Sequence, residues 1–531
     1  MFRGILMERH TRWLPMLVAS VCLTFVAAAQ AQQEIEEVIV TGSYIRGTPE
    51  DAASPVDVIT REDMELSGNP SLVEMIKRMP AVTGVDGEQN QFQSNGLEAI
   101  SNINLRGLGP GRTLVLLNGT RMVPTPFAVP ETGQQFVNTN VIPSIAVGRI
   151  ELLKDGASAT YGSDAIAGVA NFITRSDFRG IEISGTFKGI DDSEDDGDWD
   201  GGVIAGLGGD RWNLVASFGY QFRTELNVRE VDWALQEFAT NPRGGWSGIG
   251  SPPTLFAISD PTFATVTPDP DCATVGGFVD GATCRFRYID FDNIAEEEEH
   301  WQFFVEGAYD INDTTTLTGE FLFAHDETPE WNTSPSFPPQ ALFGTDRVAV
   351  PGMPHFDDFL ERNPQLGPEW DAGAFLLGRF QGVSGPSQDG TRDYDTWRLK
   401  IGLEGDLGDT GIGYIASVAY STSEIDIQTN DSRQDNVAWA YRGLGGFDCD
   451  QATGTPGSGN AGTGDCFYFN PFTSGYTASQ AAGFEGVAGP GSGNALLNNP
   501  AFMADYMTEF LGGKTETELF VLDVVFSGES S

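Results

Sequence analysis

Cationic residues are scarce in this chain: 531 residues carry 30 Lys and Arg against 75 Asp and Glu, a formal charge of −45. That balance excludes a surface built to bind nucleic-acid phosphates and fits a solvated acidic face. Histidine is scarcer still, with four in all. His10 lies near the N-terminus, and His300, His325 and His355 accompany no recognisable nucleophile motif, which argues against a surface hydrolase. Long apolar runs are few, and Leu14 to Ala29 falls short of the ~20 residues that a membrane-crossing helix needs. Among five cysteines no pair has the two-residue spacing of a zinc knuckle, and no histidine lies near them.

What is present is informative. Arg3, Arg9 and Arg12 precede the apolar stretch, which ends at Ala29-Gln30-Ala31 before Gln32-Gln33-Glu34, so residues 1–31 read as a secretory signal peptide. Val21 is a poor neighbour for lipidation of Cys22. The other cysteines form two local pairs, Cys272 with Cys284 and Cys449 with Cys466, in loop-like sequence. In an oxidising compartment they read as disulfide-closed loops, with a metal site as the alternative. The 65 Gly, 35 Phe and 10 Trp, spread together, suit a β-rich protein with many turns and aromatic girdles.

From Ser54 the sequence reads as a small mixed α/β domain. Val56 to Ile59 alternates like a strand, and Asn69-Pro70 is an N-cap with proline in the first turn. Leu72, Met75, Ile76 and Met79 share a helical face that ends at Pro80. Leu114 to Leu117 is a continuous apolar run closed by Asn118-Gly119, a dipeptide that accepts positive φ in a tight hairpin. Gly107, Gly109 and Gly111 surround Pro110 in a bent loop. No Lys-Ser/Thr follows them and no long helix waits to cap an anion, which argues against a phosphate cradle.

Several ordered motifs in this stretch closely resemble the plug domain of TonB-dependent outer-membrane receptors. They are Leu105-Arg106-Gly107, Leu116-Leu117-Asn118-Gly119-Thr120-Arg121, Arg149-Ile150-Glu151, Lys154-Asp155-Gly156, Tyr161-Gly162 and Ala165-Ile166-Ala167-Gly168. The resemblance covers roughly Glu36 to Arg175. It implies an energised importer in the outer membrane of a Gram-negative bacterium, with no catalytic residue, cofactor or resident metal. Glu36, Glu37, Val38, Ile39, Val40, Thr41 and Gly42 look like the family's TonB box, a free strand suited to adding to a partner's sheet edge. TonB, with its inner-membrane energising complex, is the implied partner, together with outer-membrane lipid and a small-molecule or oligomeric nutrient. The organisation expected is a signal peptide at 1–31, TonB box and linker at 32–53, plug at 54–175 and a partial transmembrane β-barrel over 180–531.

After Phe178 the pattern changes to long alternating strands. Trp212, Leu214, Ala216, Phe218, Tyr220 and Phe222 give one apolar face, with Asn213, Val215, Ser217, Gly219 and Gln221 opposite. About eight strands are expected, near 180–188, 199–208, 211–223, 299–310, 314–325, 394–406, 411–425 and 515–527. Short turns alternate with long excursions at 224–298, 326–393 and 426–514, the asymmetry of outer-membrane barrels. Both cysteine pairs then fall in outer loops.

Ligand is expected between plug apices and those loops. Phe467-Tyr468-Phe469-Asn470-Pro471-Phe472, after Cys466, is the most conspicuous aromatic candidate, with loop packing as the equal alternative. Asp191, Asp192, Asp195, Asp196, Asp198 and Asp200 could hold calcium, a solvated acidic loop being the plainer reading. A surface adhesion protein that transports nothing is the competing function. It accounts for the charge and disulfides but not for the Glu36–Gly42 strand or the ordered motifs.

Two structural expectations follow. Alternation aims Glu306, Glu320 and Glu404 inward, and at least one of Arg106 and Arg121 is expected to pair with that acidic row. Eight strands are also too few to enclose such a plug, which resembles those of 22-stranded transporters. The chain is therefore expected to be incomplete, with an open, curved sheet and an unpaired edge at 515–527, the alternative being a naturally smaller barrel with the plug domain outside it.

Overall fold

The computed structural model describes residues 56–67, 72–83, 98–129, 132–190, 197–333, 348–379, 388–451, 460–475 and 497–528. The signal peptide, the Glu36–Gly42 segment, Asn69-Pro70 and Asp191 to Asp196 lie outside them.

The first domain is built on a five-stranded sheet. Its strands are β1 (Val56–Thr60), β2 (Thr113–Leu117), β3 (Thr120–Arg121), β4 (Val147–Leu153) and β5 (Gly168–Thr174), in the order β1-β4-β5-β2-β3. Only β5 and β2 run parallel. Asn118 and Gly119 both have positive φ, 48° and 74°, and close the β2–β3 hairpin in two residues. Strand β2 is buried along its length, which explains its unbroken apolar run.

Helix α1 (Arg61–Leu66) begins with a capping box: Thr60 Oγ1 accepts from the Asp63 amide, and Asp63 accepts from the Thr60 amide. That hydrogen bonding holds the Asp63 carboxyl below its usual range. Leu72, Met75 and Ile76 of α2 (Leu72–Lys77) and Met79 just beyond it are buried against β2, β4 and β5. A short third helix, α3 (Ser158–Tyr161), lies between β4 and β5.

The second unit is one eight-stranded antiparallel sheet, here called the wall. Its strands follow one another in sequence order: β6 (Gly180–Lys188), β7 (Asp198–Gly208), β8 (Trp212–Arg223), β9 (Glu298–Asn312), β10 (Thr315–Thr333), β11 (Gln388–Asp406), β12 (Ile412–Ser432) and β13 (Thr508–Gly528). Among the described residues β6 and β13 do not pair with each other, so the sheet is open. Strands β10 to β13 run well past the expected ends on the loop side. There polar residues occupy both faces, so the sequence no longer shows the apolar alternation of a lipid-facing strand, yet the ladders continue, unbroken from β11 to β13 and with one register shift between Thr328 and Trp331 on β10.

The two faces of the wall differ sharply. Trp301, Phe303, Phe321, Phe323, Leu399, Ile401, Phe520 and Leu522 are exposed on the outward face, whereas Gln302, Phe304, Leu322 and Arg398 are buried on the inward one. Phe304, Leu322 and Ala324 belong to the same apolar cluster as the core of the first domain, which therefore packs directly onto the inward face.

The long connections fold together above the wall. A small sheet joins Thr254–Ala257 to Ala374–Leu377 from the next loop. Helices α4 (Pro354–Arg362), α5 (Gln434–Tyr441) and α6 (Phe502–Met507) share its apolar core. Cys272–Cys284 and Cys449–Cys466 are disulfide-bonded within this cap.

Candidate functional site

The residues singled out in the first domain are gathered into its turns. Arg106, at φ 56°, donates from Nη2 to the Ala167 carbonyl at 2.9 Å, tying its loop to the segment before β5. Arg121 bonds Asp164 and the Tyr161 carbonyl, and Gly162, at φ 91°, sits beside it. Glu151 is buried and holds Arg149 Nε at 2.8 Å. Lys154 Nζ reaches Asp57 at 2.7 Å and clips edge strand β1 to β4. Gly156 lies where a Cβ would stand 3.1 Å from the Ile166 carbonyl oxygen.

The hairpin tip meets the wall. Asn118 Nδ2 donates to Glu320 Oε1 at 3.3 Å and Thr174 Oγ1 donates to Glu306 Oε2 at 2.7 Å. Glu306 and Glu320 stand directly opposite each other on β9 and β10. Two like charges so placed repel, and the wall supplies the compensation: Arg398 Nη1 lies 2.6 Å and Lys400 Nζ 2.9 Å from Glu320. Lys400 also donates to the Asn118 carbonyl at 3.3 Å.

This corrects the pairing expected from sequence. Among the described residues neither Arg106 nor Arg121 pairs with Glu306, Glu320 or Glu404, because both guanidiniums are engaged inside their own domain. Glu404 is exposed, close to the 407–411 turn. The ion pairs between domain and wall lie elsewhere. Arg61 and Arg175 both hold Glu182 of β6, at 3.1 and 2.7 Å, and Glu74 lies 3.6 Å from Lys188.

A third contact zone, toward the loops, was not singled out from sequence. Glu298 accepts from the Ala99 amide at 3.0 Å and pairs with Arg223 at 2.9 Å. Asp326 accepts from Asn138 Nδ2 at 2.6 Å and contacts His300 Nδ1 at 2.8 Å. Gln302 Nε2 donates to the Asn140 carbonyl at 2.9 Å. Glu98 lies 3.4 Å from Arg392, whose guanidinium stacks 4.7 Å over Trp331. The signal was available: the alternation that places Trp301 and Phe303 outward puts Glu298, His300 and Gln302 on the same inward face as Glu306.

The aromatic segment after Cys466 is packed inward. Phe469 and Phe472 are buried, Phe472 stacks on Phe359 at 4.5 Å between centroids, and the Phe469 amide bonds the Ala440 carbonyl. Loop packing, not ligand presentation, accounts for these two rings. Burial has electrostatic consequences in the same cap. The Asp292 carboxyl is pushed up to about 7, and His355, fully buried against Tyr468 and Phe472, is held down to about 4. The cap also offsets its costs locally, as where Asp269 accepts from the Thr473 amide at 3.0 Å.

The first domain, so seated, matches the family description "TonB-dependent Receptor Plug Domain" over residues 48–169. Over those residues the chain carries a plug domain of the TonB-dependent receptor type. Its plug is the five-stranded domain, and the wall is the barrel-like sheet that follows. The vitamin B12 transporter BtuB of Vibrio cholerae serotype O1 is 30% identical over 212 residues, 39% of this chain and 31% of that protein. BtuB of Photobacterium profundum is 27% identical over 205 residues, 38% of this chain and 31% of that protein. The matched region thus spans about a third of the length of these curated relatives. Among solved structures, the siderophore receptor PirA of Acinetobacter baumannii has a TM-score of 0.37 at 16% identity, covering 71% of this chain and 44% of that one. The ferric enterobactin receptor PfeA of Pseudomonas aeruginosa has a TM-score of 0.35 at 14% identity, covering 75% of this chain and 52% of that one.

Proposed function

We propose that the chain takes part in TonB-dependent active import of a nutrient, such as a siderophore complex, cobalamin or an oligosaccharide, across the outer membrane. The single observation that carries this reading is the opposition of the wall's two faces. The outward face offers large apolar side chains to its surroundings, while the inward one binds a plug through polar contacts at three levels. An apolar exterior of this kind suits lipid. Hydrogen bonds and ion pairs, unlike an apolar core alone, suit an interface that must release and re-form.

In this reading residues 1–31 are removed after export, 32–53 carry the TonB box and its linker, 54–175 form the plug and 180–531 contribute wall and loops. TonB pulls on Glu36 to Gly42. The folded cap faces outside and receives cargo above the plug's Glu98–Asn140 surface. Similarity to vitamin B12 transporters supports the class of activity and leaves the nutrient to experiment. The test is growth of a strain lacking this gene on a panel of iron-siderophore complexes, haem, cobalamin and oligosaccharides. One nutrient should restore a growth difference only with the intact gene, and unchanged growth on every one of them would count against import.

A further inference from the structure

The outward face of the wall changes character toward the loops. In one cross-strand row the register sets Glu299 opposite Glu327, Glu327 opposite Asp393, and Asp393 opposite Asp426. Like charges directly opposite one another destabilise a sheet. A lysine enters this row only at its end, where Lys514 faces Asp426 and stands 2.7 Å from Glu424. The neighbouring row, nearer the apolar belt, contributes His325 opposite Asp395. Ligand atoms of His325, Glu327 and Asp393 all lie within 4.8 Å of one another.

Two further details go beyond a cluster of acids. Asp395 Oδ1 lies 2.9 Å from His325 Nδ1, the partner that fixes tautomer and ring orientation in metal-binding histidines and leaves Nε2 as the donor to an ion. Glu327 Oε2 then lies 3.4 Å from Nε2. That gap is loose for a hydrogen bond, but two ligands about 2.1 Å from a tetrahedral ion stand roughly 3.4 Å apart. One imidazole with two carboxylates matches a borderline ion such as Zn²⁺ better than the all-oxygen shell of Ca²⁺.

We propose that His325, Glu327 and Asp393 bind a Zn²⁺-class divalent ion on the outward, loop-side rim of the wall, with Asp395 as the positioning residue. The ion offsets the acidic row and links β10 to β11, and its remaining coordination positions point away from the sheet. This site is independent of import, because it lies on the opposite face from the plug contacts.

The test is a Zn²⁺ titration of the detergent-solubilised chain after dialysis against a chelator, followed by calorimetry. One site is expected in the unaltered chain. His325→Ala and the near-isosteric Asp393→Asn should abolish it, and Asp395→Asn should weaken it roughly 10- to 100-fold. Glu518→Gln, on the same face outside the cluster, should leave it unchanged. Absence of binding by the unaltered chain at millimolar Zn²⁺, or affinity in His325→Ala or Asp393→Asn equal to that of the unaltered chain, would overturn the proposal.

Discussion

Glu98 of the plug stands 3.4 Å from Arg392 of the wall, both side chains buried, with Trp331 stacked on the guanidinium. Two carbonyls, of Thr391 and Gln428, also accept from Arg392. Removing one charge of a buried pair leaves the other unsatisfied, at a cost of roughly 3–5 kcal/mol. Glu98→Gln is therefore expected to loosen the plug apex while the wall stays folded. Hydrogen exchange at the amides of 99–105 should accelerate by about a hundredfold, the lower end of that range. Exchange at the unaltered rate would mean that the pair holds nothing.

Gly168 begins β5 at φ 149°, where a Cβ would stand 2.2 Å from the Leu153 carbonyl oxygen and 2.7 Å from Leu105 Cδ1. Backbone, not a flexible side chain, blocks the space. Gly168→Ala should destabilise the plug by roughly 2–4 kcal/mol. Gly119→Ala is the informative comparison: its φ is also positive, at 74°, but among the described residues nothing lies within 4 Å of the added carbon. There about 1 kcal/mol of backbone strain is the whole expected effect. Denaturant midpoints of the two variants should separate accordingly, and equal midpoints would contradict the close-packing argument.

Burial keeps His355 neutral, its value held down to about 4 from 6.5. The unfolded cap binds that proton more readily than the folded one, so the stability owed to the neutral imidazole is fully present above 6.5. It is lost as pH falls toward 4, by at most about 1.4 kcal/mol per pH unit. Asp292, pushed up to about 7, acts in the opposite sense: its buried neutral form favours the fold at low pH, and that contribution fades as pH rises from 3.8 to about 7. Comparing the protein with His355→Leu isolates the imidazole, since Asp292 is common to both. The variant should gain relative stability as pH drops from 6.5 to 4 in urea unfolding of the cap. A pH-independent difference would rule out this role for His355.

The elements legible in the sequence were those that a period or a turn dictates. Asn118-Gly119 specified its hairpin, and Trp212 to Phe222 specified a face. Partnership was not legible in the same way. Arg106 and Arg121 looked available for the wall because a sequence does not show that the Ala167 and Tyr161 carbonyls lie within their reach. The rings of Phe469 and Phe472 looked available for ligand because the core that receives them is assembled from three separate loops. His325 and Asp393 lie far apart in the chain and meet only through the β10–β11 register, which no local pattern reveals.

Import driven from the plug's N-terminal side is the central claim, and Val38→Pro tests it most directly. Val38 lies outside the described residues, within the segment that resembles a TonB box. Proline there removes a backbone donor and disrupts strand addition to a partner's sheet. The measurement is energised uptake, alongside binding to whole cells, of whichever nutrient on the growth panel requires the gene. Uptake should be lost with binding unchanged, whereas uptake at the unaltered level would contradict TonB-driven import.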